Sequence, residues 1–202
     1  HSSRYVVCHS QEEYILNMLT DFRRLHNKSI RKCSTVGQSG RAPDPEHLQK
    51  KESGAAGRGS MGSSGYAMRG TRFDVAFGAG RLARYLDKWS EPDGWCDKEL
   101  VHQMGYYAET AHYKLHFINE GDAFENLWVE VYSDSDVNDN PRSTGGHIVL
   151  LSGPAGSTHP VSWSSKLQAI TATSSGDAEV VEWGRAAKAA VKVAALVERT
   201  RV

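Results

Sequence analysis

Cysteine is scarce in this chain of 202 residues, which holds only Cys8, Cys33 and Cys96. Their odd number and wide separation argue against a disulfide framework and against a zinc knuckle. No run of apolar residues approaches the length of a membrane-spanning helix, which needs about 18 in succession. No segment resembles a signal peptide. We therefore expect an intracellular protein of a reducing compartment, without a membrane partner. Because the chain opens with His1 rather than Met, we also expect a fragment or a processed product.

Net charge is also lacking, since 24 Lys and Arg residues balance 24 Asp and Glu residues. The chain as a whole is therefore not attracted to nucleic acid or to an anionic membrane. The charge is nevertheless uneven, because residues 58–88 are mainly basic and residues 120–139 hold seven acidic residues and no Lys or Arg. A protein that holds a polyanion and places a metal beside it would show this pattern. Two unrelated solvated faces would show it as well.

Hydrophobic periodicity predicts three helices in the first half of the chain, at residues 11–25, 75–88 and 96–108. Ser10 and Glu13 have the spacing of a capping box at the start of the first helix. Residues 27–59 contain almost no large apolar side chain, which predicts a mobile loop. Residues 60–70 are rich in glycine and serine.

The second half of the chain reads as strands followed by one long helix. Strands are predicted at residues 113–118, 127–136, 145–151, 161–163 and 169–173. Ser174 or Ser175 then caps a helix that continues to about Thr200. Its predicted buried face comprises Ala178, Val181, Ala187, Ala190, Ala194 and Val197.

Two carboxylates in this half are candidate metal ligands. The strand at residues 127–136 alternates apolar and polar side chains and ends with Asp134 and Asp136, and Glu179 lies one turn into the long helix. A helix that crosses a sheet can bring such carboxylates together, and hard divalent cations prefer these oxygen ligands. The alternative for the Asp residues is a polar turn that closes the strand. The alternative for Glu179 is a favourable interaction with the helix dipole.

Four short motifs follow one another in this region. They are Y-S-D-S-D at residues 132–136, R-S-T-G-G at 142–146, W-S-S-K-L-Q at 163–168 and S-S-G-D-A-E at 174–179. This order resembles the ribonuclease H domain of copia-type retrotransposon Pol polyproteins, with Y-S-D-A-D, R-S-T-S-G, W-S-S-K-x-Q and S-S-T-E-A-E-Y. Upstream, S-Q-E-E-Y-I at 10–15, T-R-F-D-V at 71–75 and R-L-A-R-Y at 81–85 are similar to the end of the same family's reverse transcriptase.

The resemblance implies an α/β fold, with a ribonuclease H-like mixed sheet and a crossing helix, preceded by a mainly helical segment. Residues 1–120 would correspond to the C-terminal part of the reverse transcriptase, including the mobile loop near 27–59. Residues 121–202 would be a truncated ribonuclease H domain. Asp134 and Glu179 would be the catalytic metal ligands, whereas Asp177 matches an acidic position that is not a ligand.

The implied reaction is hydrolysis of the RNA strand of an RNA–DNA hybrid with two Mg²⁺ ions. The family's site also uses aspartates from segments after this helix, and we expect them to be missing from a chain that ends at Val202. Phe73 and Val180 depart from the family's pattern. The alternative is therefore a non-catalytic descendant, serving as a structural or nucleic-acid-binding subunit of a larger assembly.

Overall fold

The structure is a computed structural model that describes residues 3–37, 43, 55–89, 94–136 and 142–200. The described helices and strands, in chain order, are β1 (Tyr5–Ser10), α1 (Glu12–His26), α2 (Ala55–Gly70), α3 (Ala76–Ala83), α4 (Trp95–Glu109), β2 (Lys114–Asn119), β3 (Trp128–Asp136), β4 (Thr144–Ser152), β5 (Thr158–Leu167) and α5 (Ser175–Thr200). Short 3₁₀ turns occur at Phe73–Val75 and Phe124–Asn126. None of the helices in the described residues is long and apolar enough to cross a membrane.

The chain divides into two compact units. Residues 10–114 form the first, here called the helical unit, and residues 1–9 and 115–202 form the second, the sheet unit. This division differs from the expected one after residue 120, because β1 and the end of β2 belong to the sheet. Which parts derive from a reverse transcriptase and which from a ribonuclease H stays a prediction.

The helical unit is built around one apolar core. Its buried side chains come from all four helices, because α1 packs on α2 and α4 while α3 packs on α2 and α4. The cluster comprises Ile15, Met18, Leu19, Phe22, Met61, Ala67, Val75, Ala79, Leu82, Tyr85, Cys96, Leu100, Met104, Tyr107 and Ala111. The spacing of these residues on α1 and α4 is the periodicity that predicted the two helices, and both are confirmed.

Three predictions for the helical unit need correction. The helix predicted at 75–88 ends at Ala83. The reciprocal capping box does not form, because the Ser10 hydroxyl accepts a hydrogen bond from the Glu12 N–H at 3.2 Å and Gln11 occupies the N-cap. The Gln11 side chain instead accepts hydrogen bonds from the backbone N–H and hydroxyl of Thr71, each at 2.8 Å.

The third correction concerns α2, which covers residues 55–59 of the predicted loop and the glycine- and serine-rich segment after it. Apart from Met61, small side chains at helical spacing form its buried face, namely Gly57, Ser60, Ser64 and Ala67. They allow close packing with a single large apolar side chain, which composition alone did not indicate. Residues 27–37 have no regular secondary structure, and residues 38–42 and 44–54 of the predicted loop lie outside the described residues.

The sheet unit is a five-stranded sheet with the order β1-β2-β5-β4-β3. The pairings of β2 with β5, β5 with β4 and β4 with β3 are antiparallel. Helix α5 packs against β3 and β4. This arrangement confirms the predicted α/β class and is compatible with a ribonuclease H-like fold.

The strand predicted at 169–173 is wrong. Strand β5 is longer than predicted and ends at Leu167. The next residue, Gln168, leaves the sheet and donates its backbone N–H to the carbonyl oxygen of Ser143 at 2.8 Å. The chain then turns directly into α5, whose start at Ser175 matches the prediction.

Candidate functional site

Asp134 and Glu179 line the same groove between β3 and α5. Its volume is about 570 Å³, and its other lining residues are Val131, Tyr132, Ser133, Val180 and Trp183. We call it the carboxylate groove. The structure therefore brings the two residues proposed from the sequence to one place, while Asp136 is not among the lining residues.

Strand β3 determines the position of Asp134. This residue lies two positions before the end of the strand and is paired with Gly146 of β4. Its side chain is exposed, and Oδ1 accepts a hydrogen bond from the backbone N–H of Ser135 at 2.8 Å. The carboxylate is thus held by the sheet and still open to solvent, so the structure does not support the alternative of a simple polar turn.

The first turn of α5 determines the position of Glu179. The Ser174 hydroxyl caps the helix by accepting a hydrogen bond from the backbone N–H of Asp177 at 3.1 Å. The Asp177 carboxylate in turn accepts a hydrogen bond from the Thr173 hydroxyl. Hydrogen bonds from Thr173 and Ser174 lower the pKa of Asp177. Asp177 is therefore a capping residue, as expected for the acidic position that is not a ligand.

The electrostatic environment of the groove suits a cation. Within the described parts of the chain, neither Asp134 nor Glu179 forms an ion pair with Lys, Arg or His. Two exposed carboxylates without a positive neighbour repel each other, and a bound cation would relieve that repulsion. Two carboxylates, completed by water and substrate oxygens, are a common ligand set for Mg²⁺. The described residues of the groove therefore offer two of the oxygen ligands that such an ion uses.

A residue of the third motif anchors the start of α5. Gln168, the last residue of W-S-S-K-L-Q, is 1 % exposed and donates from its side-chain Nε2 to the carbonyl oxygen of Ala178 at 2.7 Å. Ala178 is the neighbour of Glu179 in sequence. The contact fixes the first turn of α5 to the end of β5 and so contributes to the position of the Glu179 backbone.

A second polar anchor was missed in the sequence. Glu182, one turn after Glu179, is fully buried and places Oε1 2.8 Å from His147 Nδ1 of β4. Its other oxygen accepts a hydrogen bond from Arg185. The predicted buried face contains Val181 at this point of the helix instead. Ala178, Glu182 and Ala186 do have helical spacing. A Glu in such a stripe is nevertheless expected to be exposed unless its partners are known.

The first glycine of R-S-T-G-G, Gly145, has a structural role that accounts for part of that motif. A Cβ atom at Gly145 would lie 1.9 Å from Glu182 Oε2, so only glycine leaves room for the buried carboxylate. Ser143 and Thr144 are buried, and the Ser143 carbonyl oxygen receives the Gln168 N–H. The motif thus holds α5 and β5 against β4. No cluster of three or more His, Cys, Asp or Glu suited to a metal occurs in the residues that the structure describes.

Comparison with known proteins adds the family context. The chain is 30% identical over 179 residues to the retrovirus-related Pol polyprotein from transposon RE2 of Arabidopsis thaliana, which covers 84% of this chain. It is a relative of retrotransposon Pol polyproteins. The corresponding polyprotein from transposon RE1 of the same plant is 29% identical over 177 residues, again covering 84% of the chain. The predicted resemblance to retrotransposon Pol polyproteins is confirmed.

The match is to a small part of those relatives. The chain spans 11% of the length of each polyprotein. No family model matches the chain, and no solved structure matches it.

Proposed function

We propose that the sheet unit is a retrotransposon-derived ribonuclease H-like unit whose ancestral role is hydrolysis of the RNA strand of RNA–DNA hybrids. The observation that carries the proposal is that Asp134 and Glu179 line one groove. They come from two different motifs, on a strand and on a helix. The similarity to Pol polyproteins supports an association with nucleic acid in general.

The roles of the side chains follow from their positions. Asp134 and Glu179 would together hold one Mg²⁺ ion, and Gln168 and Glu182 would hold α5 so that Glu179 faces the groove. When bound, the ion supplies charge neutralisation at a phosphodiester and activation of water. The exposed rings of Tyr132 and Trp183 line the same groove and offer flat faces to a base or sugar.

The test is a cleavage assay on an RNA–DNA hybrid with Mg²⁺. A two-metal reaction needs the ions within about 4 Å of each other, and among the described residues two carboxylates line the groove. We therefore expect no cleavage by the isolated chain above that of Asp134→Asn. If a partner chain supplies the missing carboxylates, cleavage appears on mixing and is lost in Asp134→Asn and Glu179→Gln. Cleavage on mixing that survives both substitutions would contradict the assignment.

A second candidate is a non-catalytic subunit that binds nucleic acid or has a structural role in a larger assembly. It is favoured by the lack of a third metal-ligating side chain near the two carboxylates in the described residues. The same assay separates the candidates. Cleavage that appears on mixing with a partner chain, or by the isolated chain itself, and that is lost in both variants would exclude the second candidate.

A further inference from the structure

Two cysteine–histidine contacts are found among the described residues, and they differ in their access to solvent. In the sheet unit, Cys8 Sγ of β1 lies 3.6 Å from His116 Nδ1 of β2, and both side chains are exposed. In the helical unit, Cys33 Sγ lies 3.6 Å from His102 Nε2 of α4. The contact in the sheet unit, here called the edge pair, lies outside the carboxylate groove.

The separation of the two atoms in the edge pair matches that of two ligands on one zinc ion. Zn²⁺ binds cysteine sulfur at about 2.3 Å and histidine nitrogen at about 2.0–2.1 Å, in tetrahedral geometry. Those bond lengths and a tetrahedral angle place the sulfur and the nitrogen about 3.6 Å apart. Cys8 Sγ and His116 Nδ1 already have this separation, so both atoms reach one ion with little movement of the strands.

The pair in the helical unit has the same separation, but its atoms are engaged in other contacts. Cys33 is half-buried, and its thiol donates to the carbonyl oxygen of His102 at 3.2 Å. The His102 Nε2 atom also lies 3.0 Å from Thr35 Oγ1. Burial raises the pKa of the Cys33 thiol, whereas a metal ion binds the thiolate. This pair therefore provides a control with the same distance and poorer access.

The edge pair supplies only part of a zinc site. Structural zinc sites have four protein ligands, and no group of three or more His, Cys, Asp or Glu suited to a metal occurs in the part of the chain that the structure describes. His9 follows Cys8 directly, but successive side chains of a strand point to opposite faces. The His9 ring contacts Phe117, with ring centroids 5.1 Å apart. The remaining ligands must therefore come from outside this group of residues.

The edge pair lies where a second copy of the chain can approach. Strand β1 is the outermost strand of the sheet, and its outer side has no neighbouring strand among the described residues. All six of its residues are exposed, including Tyr5, Val6 and Val7. The strand contains no Asp, Glu, Lys, Arg or Pro, the residues that commonly protect a sheet edge from contact with another chain.

We propose that the edge pairs of two copies of this chain bind one Zn²⁺ ion, which joins the copies into a dimer. Two edge pairs supply two sulfur and two nitrogen ligands, a common set in structural zinc sites. Because each copy contributes the same residues, the ion lies on a two-fold axis and the assembly closes at two chains. Each Cys8 thiol releases its proton to solvent, and His116 keeps its proton on Nε2. Two thiolates then balance the charge of the ion.

The proposal goes beyond the ribonuclease H-like function, and the two can fail separately. Mg²⁺ prefers oxygen ligands, whereas thiolate and imidazole suit Zn²⁺. Asp134→Asn and Glu179→Gln are therefore expected to leave zinc binding unchanged. Cys8→Ser is expected to leave Mg²⁺ binding in the carboxylate groove unchanged.

The experiment titrates the full chain with Zn²⁺ in the presence of a phosphine reductant. Calorimetry measures binding and stoichiometry, and sedimentation equilibrium measures the mass. Co²⁺ then replaces Zn²⁺, because a tetrahedral cobalt–thiolate site has a characteristic visible absorption. The test variants are Cys8→Ser and His116→Gln. The matched controls are Cys33→Ser, in the half-buried pair, and His9→Gln, at the neighbouring histidine of β1. Thermal unfolding verifies that each variant is folded.

We expect one ion per two chains and a doubling of mass that a chelator reverses. Loss of an outer-shell partner alone costs about 10–100-fold in metal affinity. Each test variant removes two of the four ligands, so it should bind zinc more than about 100-fold more weakly and lose the cobalt–thiolate spectrum or its tetrahedral form. Both controls should bind zinc and dimerise as the unmodified chain does.

Several results would overturn the proposal. They are the absence of zinc binding by the unmodified chain, one ion per chain without a change in mass, and zinc binding that survives in Cys8→Ser or His116→Gln. A loss in Cys33→Ser or His9→Gln as large as that in Cys8→Ser would also contradict the assignment of the ligands.

Discussion

Different kinds of contact stabilise the interior of the helical unit and the interior of the sheet unit. The apolar cluster of the helical unit contains fifteen buried residues, from the four helices and the turns beside them. The cluster beneath α5 contains three, Leu127, Leu151 and Val197, each still 9% exposed. The helix that carries Glu179 therefore depends more on polar contacts, from Gln168 and Glu182, than on apolar burial.

The difference is one of proportion, because both units carry sequence motifs and both bury polar side chains. The motifs of the sheet unit supply the polar anchors of α5, whereas in the helical unit Arg72 of T-R-F-D-V is buried and donates to Asp74 and to the Thr110 carbonyl oxygen. An apolar core tolerates exchange of similar side chains. A buried hydrogen bond does not tolerate such an exchange. When one partner is replaced, the other stays buried without a hydrogen bond.

Substitutions in the two apolar clusters are expected to give the largest and most unequal effects. Leu100→Ala in the helical core, where Leu100 is 1% exposed, should lower the free energy of unfolding by about 2–5 kcal/mol. Leu151→Ala, in the smaller cluster, should cost less because solvent already reaches the site. Hydrogen exchange, which reports on each unit separately, measures both changes. Equal losses would contradict the contrast between the units.

Replacement of Gly145 tests the buried carboxylate of the sheet unit. Gly145→Ala should destabilise this unit by about 1–3 kcal/mol, because the new methyl group overlaps Glu182. Gly146→Ala is the matched control, since its Cβ would meet only the Ser164 carbonyl oxygen at 3.6 Å. In a Glu182→Ala background the penalty at residue 145 should shrink. A penalty that persists in full would show that another contact is responsible.

The Gln168 anchor is expected to have a smaller effect on stability. Gln168→Ala removes the hydrogen bond to the Ala178 carbonyl oxygen and should lower the free energy of unfolding by about 1 kcal/mol or slightly more. Lys166→Ala, at an exposed position of the same strand, is the control. Exchange of the amides in the first turn of α5 should accelerate in Gln168→Ala alone.

The smallest predicted effect is a pH dependence at the turn between β4 and β5. Hydrogen bonds from the Ser157 side chain and from the backbone N–H groups of Ala155 and Ser157 lower the pKa of Asp122. A carboxylate whose pKa is lower in the folded state stabilises it above the unfolded value of about 3.9, and this contribution is lost as pH falls further. In Asp122→Asn the free energy of unfolding should therefore fall less steeply as the pH is lowered through this range. An unchanged acid profile would exclude the role of Asp122.

Much of the fold can be predicted from the sequence because several segments have a pronounced hydrophobic periodicity. The apolar stripe of α1 and the capped start of α5 predicted those helices closely. The helix α2 was missed because its packing face, apart from Met61, consists of glycine, serine and alanine, which carry no hydrophobic signal. The strand predicted at 169–173 failed because Gln168 forms its hydrogen bonds with residues outside the ladder.

The candidate site likewise contains residues that the sequence predicts and residues that it does not predict. Asp134 and Glu179 were predicted from motifs that place a carboxylate on a strand and another on a helix. Glu182 was not, because nothing local distinguishes a buried carboxylate from an exposed one. Its partner His147 lies 35 positions away in sequence, so only the packing of α5 on β4 identifies the pair.

The most direct test of the central claim is Mg²⁺ titration of the full chain by isothermal calorimetry. The measurement compares the unmodified chain with Asp134→Asn, Glu179→Gln and the control Asp136→Asn, whose side chain does not line the groove. If Asp134 and Glu179 share one ion, each of their substitutions abolishes the weak binding and Asp136→Asn preserves it. Binding that survives in Asp134→Asn or Glu179→Gln, or that is lost in Asp136→Asn, would contradict the assignment of the site.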